Sequence, residues 1–433
     1  MFKQAAAAVV GSVFLLNVAT AASTDGADEI AQLKAMLASM QTRIEQLEAQ
    51  QQQQAQQVTE QQEAIDSATD ALAQTKTGIG DWVSRFQWKG DLRYRNESFD
   101  VQYNSSNRVR DRIRARAGFV AKVNDTLSAE LRLASGGDDP RSSNQTLTDT
   151  NSRKAFGLDL AYLRWQPRPD TSLSLGKIKQ PWSTPSQSMF FDGDVNPEGI
   201  GLAWASKTSG VFANAFYLDL AERSSRADSN LIGGQLGWTG SVGDGSKLTL
   251  VAGYFDHGAV EGYNALFGGG ANGNTTVTNS PICRAGIATC VANDFNIVDV
   301  SAEWSTSLSG RPFSLYADLA QNTAADDLNN AYGLGFSYGR AKDPGTWEIG
   351  YLYQQVEKDA LYGQWVDSDF ADGNTDGRGS VLKFAYAFAK NFKFNATLFL
   401  NETNVDVPTS VSGVGPVTGR DYKRLQLDLV TSF

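Results

Sequence analysis

Arg424-Leu-Gln-Leu-Asp-Leu-Val-Thr-Ser-Phe433 closes the chain, and its alternation decides the fold. In a strand, Leu425, Leu427, Leu429, Thr431 and Phe433 share one face, and Arg424, Gln426, Asp428 and Ser432 the other, because side chains alternate with a period of two. An apolar strand tipped with an aromatic suits poorly the edge of a sheet in water. It suits the last strand of a closed barrel in a membrane, where every backbone group must find a partner within the protein.

The same pattern recurs upstream. Phe86, Trp88, Leu92 and Tyr94 alternate with Gln87, Lys89, Asp91, Arg93 and Arg95. Ile113, Ala115, Ala117 and Phe119 alternate with Arg110, Arg112, Arg114 and Arg116. Similar runs place about sixteen strands between residues 86 and 433, each near the 9–11 residues that a tilted strand needs to cross the hydrocarbon core. Fourteen or eighteen stay open, since the alternation slips near 156–166 and 198–221. Short connections alternate with longer ones, the longest over about 257–293, as periplasmic turns and external loops do in such barrels. The fold class is therefore all-β: a transmembrane antiparallel barrel.

Two further regions precede the barrel, at 81–433. Lys3, the apolar run Ala5–Val18 and Ala19-Thr20-Ala21 read as a signal peptide over 1–21. Over 22–80 the spacing changes to heptads, with Ile30, Leu37, Ile44, Val58, Ile65 and Leu72 at a and Leu33, Met40, Leu47 and Ala68 at d. That predicts an α-helical coiled-coil segment, interrupted where Gln50–Gln54 breaks the seam. Ile at a with Leu at d favours two strands. The segment has nine acids against three bases, which suits oligomerisation or spacing better than gripping anionic polymers. An even strand count places it in the periplasm.

Export explains Cys283 and Cys290, the two cysteines, which are expected to form a local disulfide in a Gly/Asn/Thr-rich loop. The formal net charge of −10 argues against nucleic acid. No cofactor or metal is expected. The opening Asp372-Gly-Asn-Thr-Asp376-Gly resembles a calcium loop, but Lys383 stands where a bidentate Glu belongs. The one histidine, His257, has no serine or acid tied to it by spacing, so no enzyme is expected.

Sixteen strands with polar inward faces enclose water. Arg93, Arg95, Arg110, Arg112, Arg114, Arg116 and Arg132 form an unusually basic wall. The third long connection, Gln180 to Gly199, carries Pro181, Pro185 and Pro197 and the acids Asp192, Asp194 and Glu198. Folded inward, it would face those arginines as a constriction loop with an acidic tip, and the opposed charges would set up a transverse field in the opening. Alternatively the arginines are hydrated, or paired with wall acids such as Asp91 and Glu130. The chain then reads as a channel for small hydrophilic solutes and ions. Two alternatives are an anion-selective, substrate-specific channel and a structural anchor whose coiled coil tethers the envelope.

Phe86-Gln-Trp-Lys-Gly-Asp-Leu-Arg-Tyr-Arg-Asn-Glu97, Arg108-Val-Arg-Asp-Arg-Ile-Arg-Ala-Arg116, Arg132-Leu-Ala-Ser-Gly-Gly137, Asp159-Leu-Ala-Tyr-Leu-Arg-Trp165 and Asp192-Gly-Asp-Val-Asn-Pro-Glu-Gly199 together resemble the putative porin family of proteobacterial outer membranes. The resemblance covers about 82–433. It implies an outer-membrane location amid lipid and lipopolysaccharide and a homotrimer. It also implies insertion by the barrel-assembly machinery, with Phe433 as the assembly signal. It implies no particular substrate.

Overall fold

The computed structural model describes residues 26–78, 81–243, 245–268 and 270–433. The expected signal peptide lies outside them. Two units divide the chain, 1–81 and 82–433. The first contains a single helix, α1 (Gly26–Gly78). No Gly or Pro interrupts it, and Ala, Leu, Gln and Glu are strong helix formers. Among its described side chains Leu37, Met40, Ile44, Leu47, Val58 and Ile65 are all exposed, so within one chain the apolar seam is uncovered. No described helix is long and apolar enough to cross a membrane.

The second unit is an antiparallel barrel. Its strands are β1 (Phe86–Val101), β2 (Arg108–Lys122), β3 (Leu127–Ser135), β4 (Phe156–Arg168), β5 (Thr171–Lys177), β6 (Glu198–Ala205), β7 (Val211–Ala221) and β8 (Ser229–Ser241). They continue with β9 (Lys247–Gly258), β10 (Phe295–Leu308), β11 (Arg311–Asn322), β12 (Asn330–Gly339), β13 (Trp347–Val356), β14 (Gly377–Ala389), β15 (Phe392–Thr403) and β16 (Arg420–Ser432). Each pairs with its neighbours in sequence, and β16 closes on β1 from Asp91↔Ser432 to Val101↔Tyr422. The backbone of Phe433 exchanges hydrogen bonds with Gly90, at 2.9 and 3.0 Å. The Phe433 ring covers Gly90, where a Cβ would collide with it; an aromatic laid over a strand glycine restores the missing packing.

Sixteen strands are thus present. The alternation slips in sequence where the ladder is irregular: register shifts fall at Arg132/Leu133 against β4, at Trp165/Arg168 and at Asp219/Ala221. A bulge adds one residue and so breaks the two-residue period. Short turns lie at one end, among them Ser309-Gly310, both with positive φ, the backbone that a two-residue hairpin turn requires. The outward face is apolar, with Leu92, Leu131, Leu236, Leu319, Leu334 and Leu429 exposed. Trp88, Trp165, Trp204, Trp304, Phe388, Phe392 and Phe433 are exposed near the short-turn end, as the aromatic girdle of a membrane barrel.

Inside, the wall is not uniformly polar. Phe216, Leu218, Leu231, Phe255, Phe295 and Ile297 of β7–β10 are buried and form one cluster with Trp182, Phe190, Leu361, Tyr362 and Val366 from two long connections. The connections are the third, 178–197, and the seventh, 357–376. The longest, 259–294, contains a small hairpin, Thr276–Thr278 with Thr289–Val291, and the expected disulfide Cys283–Cys290.

Candidate functional site

β1 and β2 bring the arginines together because their register sets inward residues side by side. Arg93 lies opposite Arg114 and Arg95 opposite Arg112, while Asp91 faces Arg116 and Glu97 faces Arg110. Like charges directly opposite are destabilising, so the two Arg–Arg pairs depend on carboxylates from elsewhere.

Those carboxylates come from three directions. From the wall, Arg95 donates to Asp428 of β16 through Nε at 2.7 Å and a terminal nitrogen at 2.8 Å. Glu97, fully buried, accepts from Arg110 at 2.6 Å and Arg424 at 2.8 Å, and lies 3.6 Å from Arg112. Asp91 accepts from Arg116 at 2.8 Å and lies 3.1 Å from Arg114, and Arg132 donates to Asp159 at 2.5 Å. From the third connection, Asp194 lies 3.4 Å from Arg116 and 3.8 Å from Arg114. From the seventh, Asp369 accepts from Arg95 at 3.2 Å and lies 2.8 Å from Arg424. Eight arginines (93, 95, 110, 112, 114, 116, 132 and 424) therefore meet six carboxylates (91, 97, 159, 194, 369 and 428), and positive charge remains in excess.

The third connection enters the lumen and is held at both faces. Ser183 N–H donates to Gln235 Oε1 at 2.7 Å, and Met189 N–H donates to Gln354 Oε1 at 2.9 Å. Ser186 donates to Asp318 at 2.6 Å, and Ser188 hydrogen-bonds the same carboxylate. Trp182 packs on Phe191, Phe216, Phe255 and Trp365 with ring centroids 5.2–5.9 Å apart. Burying such a ring contributes ~3–5 kcal/mol by the cost of its removal.

The three acids expected at the tip of this loop, Asp192, Asp194 and Glu198, have separate surroundings. Asp194 meets the arginines. Asp192 turns back instead, accepting from the N–H of Asp194 and of Ser368, both at 2.8 Å; burial, then Asp367 and Asp194, raises its pKa well above the usual carboxylate range. Glu198 does not face the arginines: it is the first residue of β6, mostly exposed, and pairs with Lys177 at 3.0 Å. Glu130, the other suggested wall acid, is held by Lys179 at 2.8 Å and by the Tyr162 hydroxyl at 2.7 Å.

The seventh connection was missed as a site element. Burial, then neighbouring Asp369, pushes the Asp367 carboxyl up to about 7. Burial would also raise Asp369, but Arg424 and Arg95 hold it below the usual range. The available signal was composition: Ala360, Leu361, Tyr362, Val366 and Phe370 are too apolar for a loop in water, and all are buried. The stretch Asp372–Asp376 forms no metal-ligand cluster, and none occurs among the described residues. Asp376 instead accepts from the N–H of Asp406 at 2.7 Å. His257 is buried, with Nδ1 3.1 Å from the Phe295 carbonyl, and packs on Tyr362.

Comparison with known proteins follows the same line. The profile of the family described as Putative porin matches residues 98–286 and 271–433. OprB of Pseudomonas putida, in its high-pH structure, aligns over 83% of this chain and 96% of its own at 14% identity, with a TM-score of 0.55. The trimer form of OmpT, an outer membrane protein of Vibrio cholerae, aligns over 80% and 99% at 13% identity and 0.45. A triple mutant of the Rhodopseudomonas blastica porin aligns over 80% and 100% at 11% and 0.44. No curated protein matches.

Proposed function

The chain belongs to the putative porin family, and from that premise we propose a water-filled passage for passive diffusion of small hydrophilic solutes and ions. Membership makes it an outer-membrane β-barrel channel rather than an enzyme. The observation that carries the finer proposal is the lumen's division. Apolar side chains of the third and seventh connections cover one wall, and the charged array of β1, β2 and β16 lines the other. Apolar packing fills the first half, and ion pairs with partly exposed arginines such as Arg110 and Arg116 line the second. The passage therefore runs along Arg93, Arg95, Arg110, Arg112, Arg114, Arg116 and Arg132 on the wall, beside the points where Asp194 and Asp369 of the inserted connections close on that array in ion pairs. Opposed fixed charges there orient dipolar solutes and favour small ions over apolar molecules of the same size.

The expected result in a planar bilayer is discrete open steps, with a reversal potential in a salt gradient that reports the arginine excess as anion preference. Silence from correctly folded protein refutes the channel. The exposed seam of α1 supports a second role for that helix, packing against the same helix of other copies in the periplasm. The homotrimer remains part of this proposal; light scattering of the full chain, with and without residues 22–80, measures both copy number and the helix's share in it.

A further inference from the structure

The mouth at the long-connection end contains a cavity of about 470 Å³ bordered by β1, β2, β16 and the second and seventh connections. We propose that this cavity binds a small solute carrying a phosphate or carboxylate group before it enters the narrow passage. The inference rests on the channel reading and adds to it a saturable site for one chemical class.

Six arginines line the cavity: Arg108, Arg110, Arg112, Arg141, Arg420 and Arg424. Three carboxylates line it too, Asp139, Asp369 and Asp372, with Glu97 buried behind, so the guanidinium groups exceed the acids by two. Two of the six are structural braces. Arg141 donates to the Gly373 carbonyl at 2.8 Å, and Arg420 donates to the Gln102 carbonyl and Asn104 Oδ1, both at 2.6 Å.

The others have capacity left. Arg108 is exposed and makes no ion pair among the described residues. Arg112 and Arg424 each hold an Nε with no hydrogen-bond partner, buried behind the cavity wall, so they add uncompensated positive charge there and not a donor that a solute touches. Arg110 and Arg424 lie 5.0 and 4.9 Å from the Phe99 ring, which fixes their planes. The exposed guanidinium fork of Arg108, with its donors free, matches the paired oxygens of a phosphate or carboxylate, and the net positive surround favours the charged form of that group. Arg108 also begins the inward series 108, 110, 112, 114, 116, one step of roughly 7 Å per residue pair. An oxyanion released from the mouth meets its next donor without leaving the wall.

The test uses the full-length chain and inorganic phosphate. Added on the long-connection side in constant KCl, phosphate is expected to lower single-channel current saturably. R108Q removes an exposed group that braces nothing and should raise the half-saturating concentration about tenfold, the worth of one charge-assisted hydrogen bond. R108Q/R110Q should raise it further. R168Q, on a short turn at the opposite end, should change nothing. Calorimetric titration of the detergent-solubilised protein with phosphate must show the same order of affinities, and it reads occupancy even if no current flows. Absence of open steps in KCl alone overturns the channel reading. Open steps with linear, unsaturated phosphate dependence, identical in R108Q and without calorimetric binding, overturn the site and leave the channel.

Discussion

Two halves of one lumen are built from the same alternating strands and end in opposite chemistry. On β1, β2 and β16 the inward positions include Arg93, Arg95, Arg112, Arg114, Arg424 and Asp428; at the long-connection end of β7–β10 they include Phe216, Leu218, Leu231, Phe255, Phe295 and Ile297. The apolar half attracts the inserted connections because it offers dry surface to Trp182, Phe190 and Val366. The charged half meets the connections differently: its arginines leave water only with carboxylate partners, so the loops reach it through Asp194 and Asp369 and not through apolar side chains. The passage is thus placed by subtraction: hydrophobic packing decides where the loops lie, and charge lines what they leave.

The comparison breaks most completely if the dry half is dissolved. Trp182→Ala should cost ~3–5 kcal/mol of local packing and unseat the third connection, read as larger, noisier conductance and earlier proteolysis between residues 178 and 197. On the charged half, Glu97→Gln leaves Arg110, Arg112 and Arg424 around a neutral group. A loss of about 2–3 kcal/mol in urea unfolding is expected, with a stronger anion preference in the reversal potential.

A pH series probes the contact between the halves. Asp367 keeps its proton in the folded state up to about 7, above its unfolded value. Stability from seating the seventh connection is therefore complete below the unfolded carboxylate range and is lost as pH rises towards 7. Asp192 is shifted in the same direction, while Asp369, held low by Arg424 and Arg95, loses its contribution only in stronger acid. Conductance fluctuations should increase from pH 5 to pH 8, and Asp367→Asn should flatten that rise.

Smaller effects sharpen the boundary. Asp194→Asn should shift the reversal potential towards anions while changing stability by less than about 1 kcal/mol, since its pairs with Arg114 and Arg116 are long and partly hydrated. Glu198→Gln should alter neither selectivity nor stability beyond about 0.5 kcal/mol, because Glu198 pairs with Lys177 outside the passage.

The charged half was legible in sequence, and the dry half was not. Arg110 to Arg116 show the period of two directly, and Leu425 to Phe433 show it again at the closing strand. Towards the long-connection end of β7–β10 the inward residues are as apolar as the outward ones, with Gln235, Asp299 and Ser301 further along the same face, so alternation says little there about which face is which, and the bulge at Asp219/Ala221 blurs it further. Insertion of the third connection could be expected from its length and its prolines. That of the seventh could not be read from period at all, because loops have none. Only the cost of leaving Leu361, Tyr362, Val366 and Phe370 in water pointed inward, and that argument names no partner. Asp192 and Glu198 share a loop with Asp194 in sequence, yet backbone turns send each to a different neighbour.

The seam between β1 and β16 has one more consequence. Arg95 and Asp428 are directly opposed in its register and joined by two short hydrogen bonds. Sliding β16 by two residues preserves which side chains face the lipid, so hydrophobicity alone does not forbid that error. Sliding one way would set Arg95 against Val430 and Asp428 against Glu97, acid facing acid, whereas sliding the other way would set Asp428 against Arg93 and Arg424 against Glu97. The charges that line the passage thereby act as a one-way stop at the last join of the cylinder, opposing a slip in the direction that sets acid against acid.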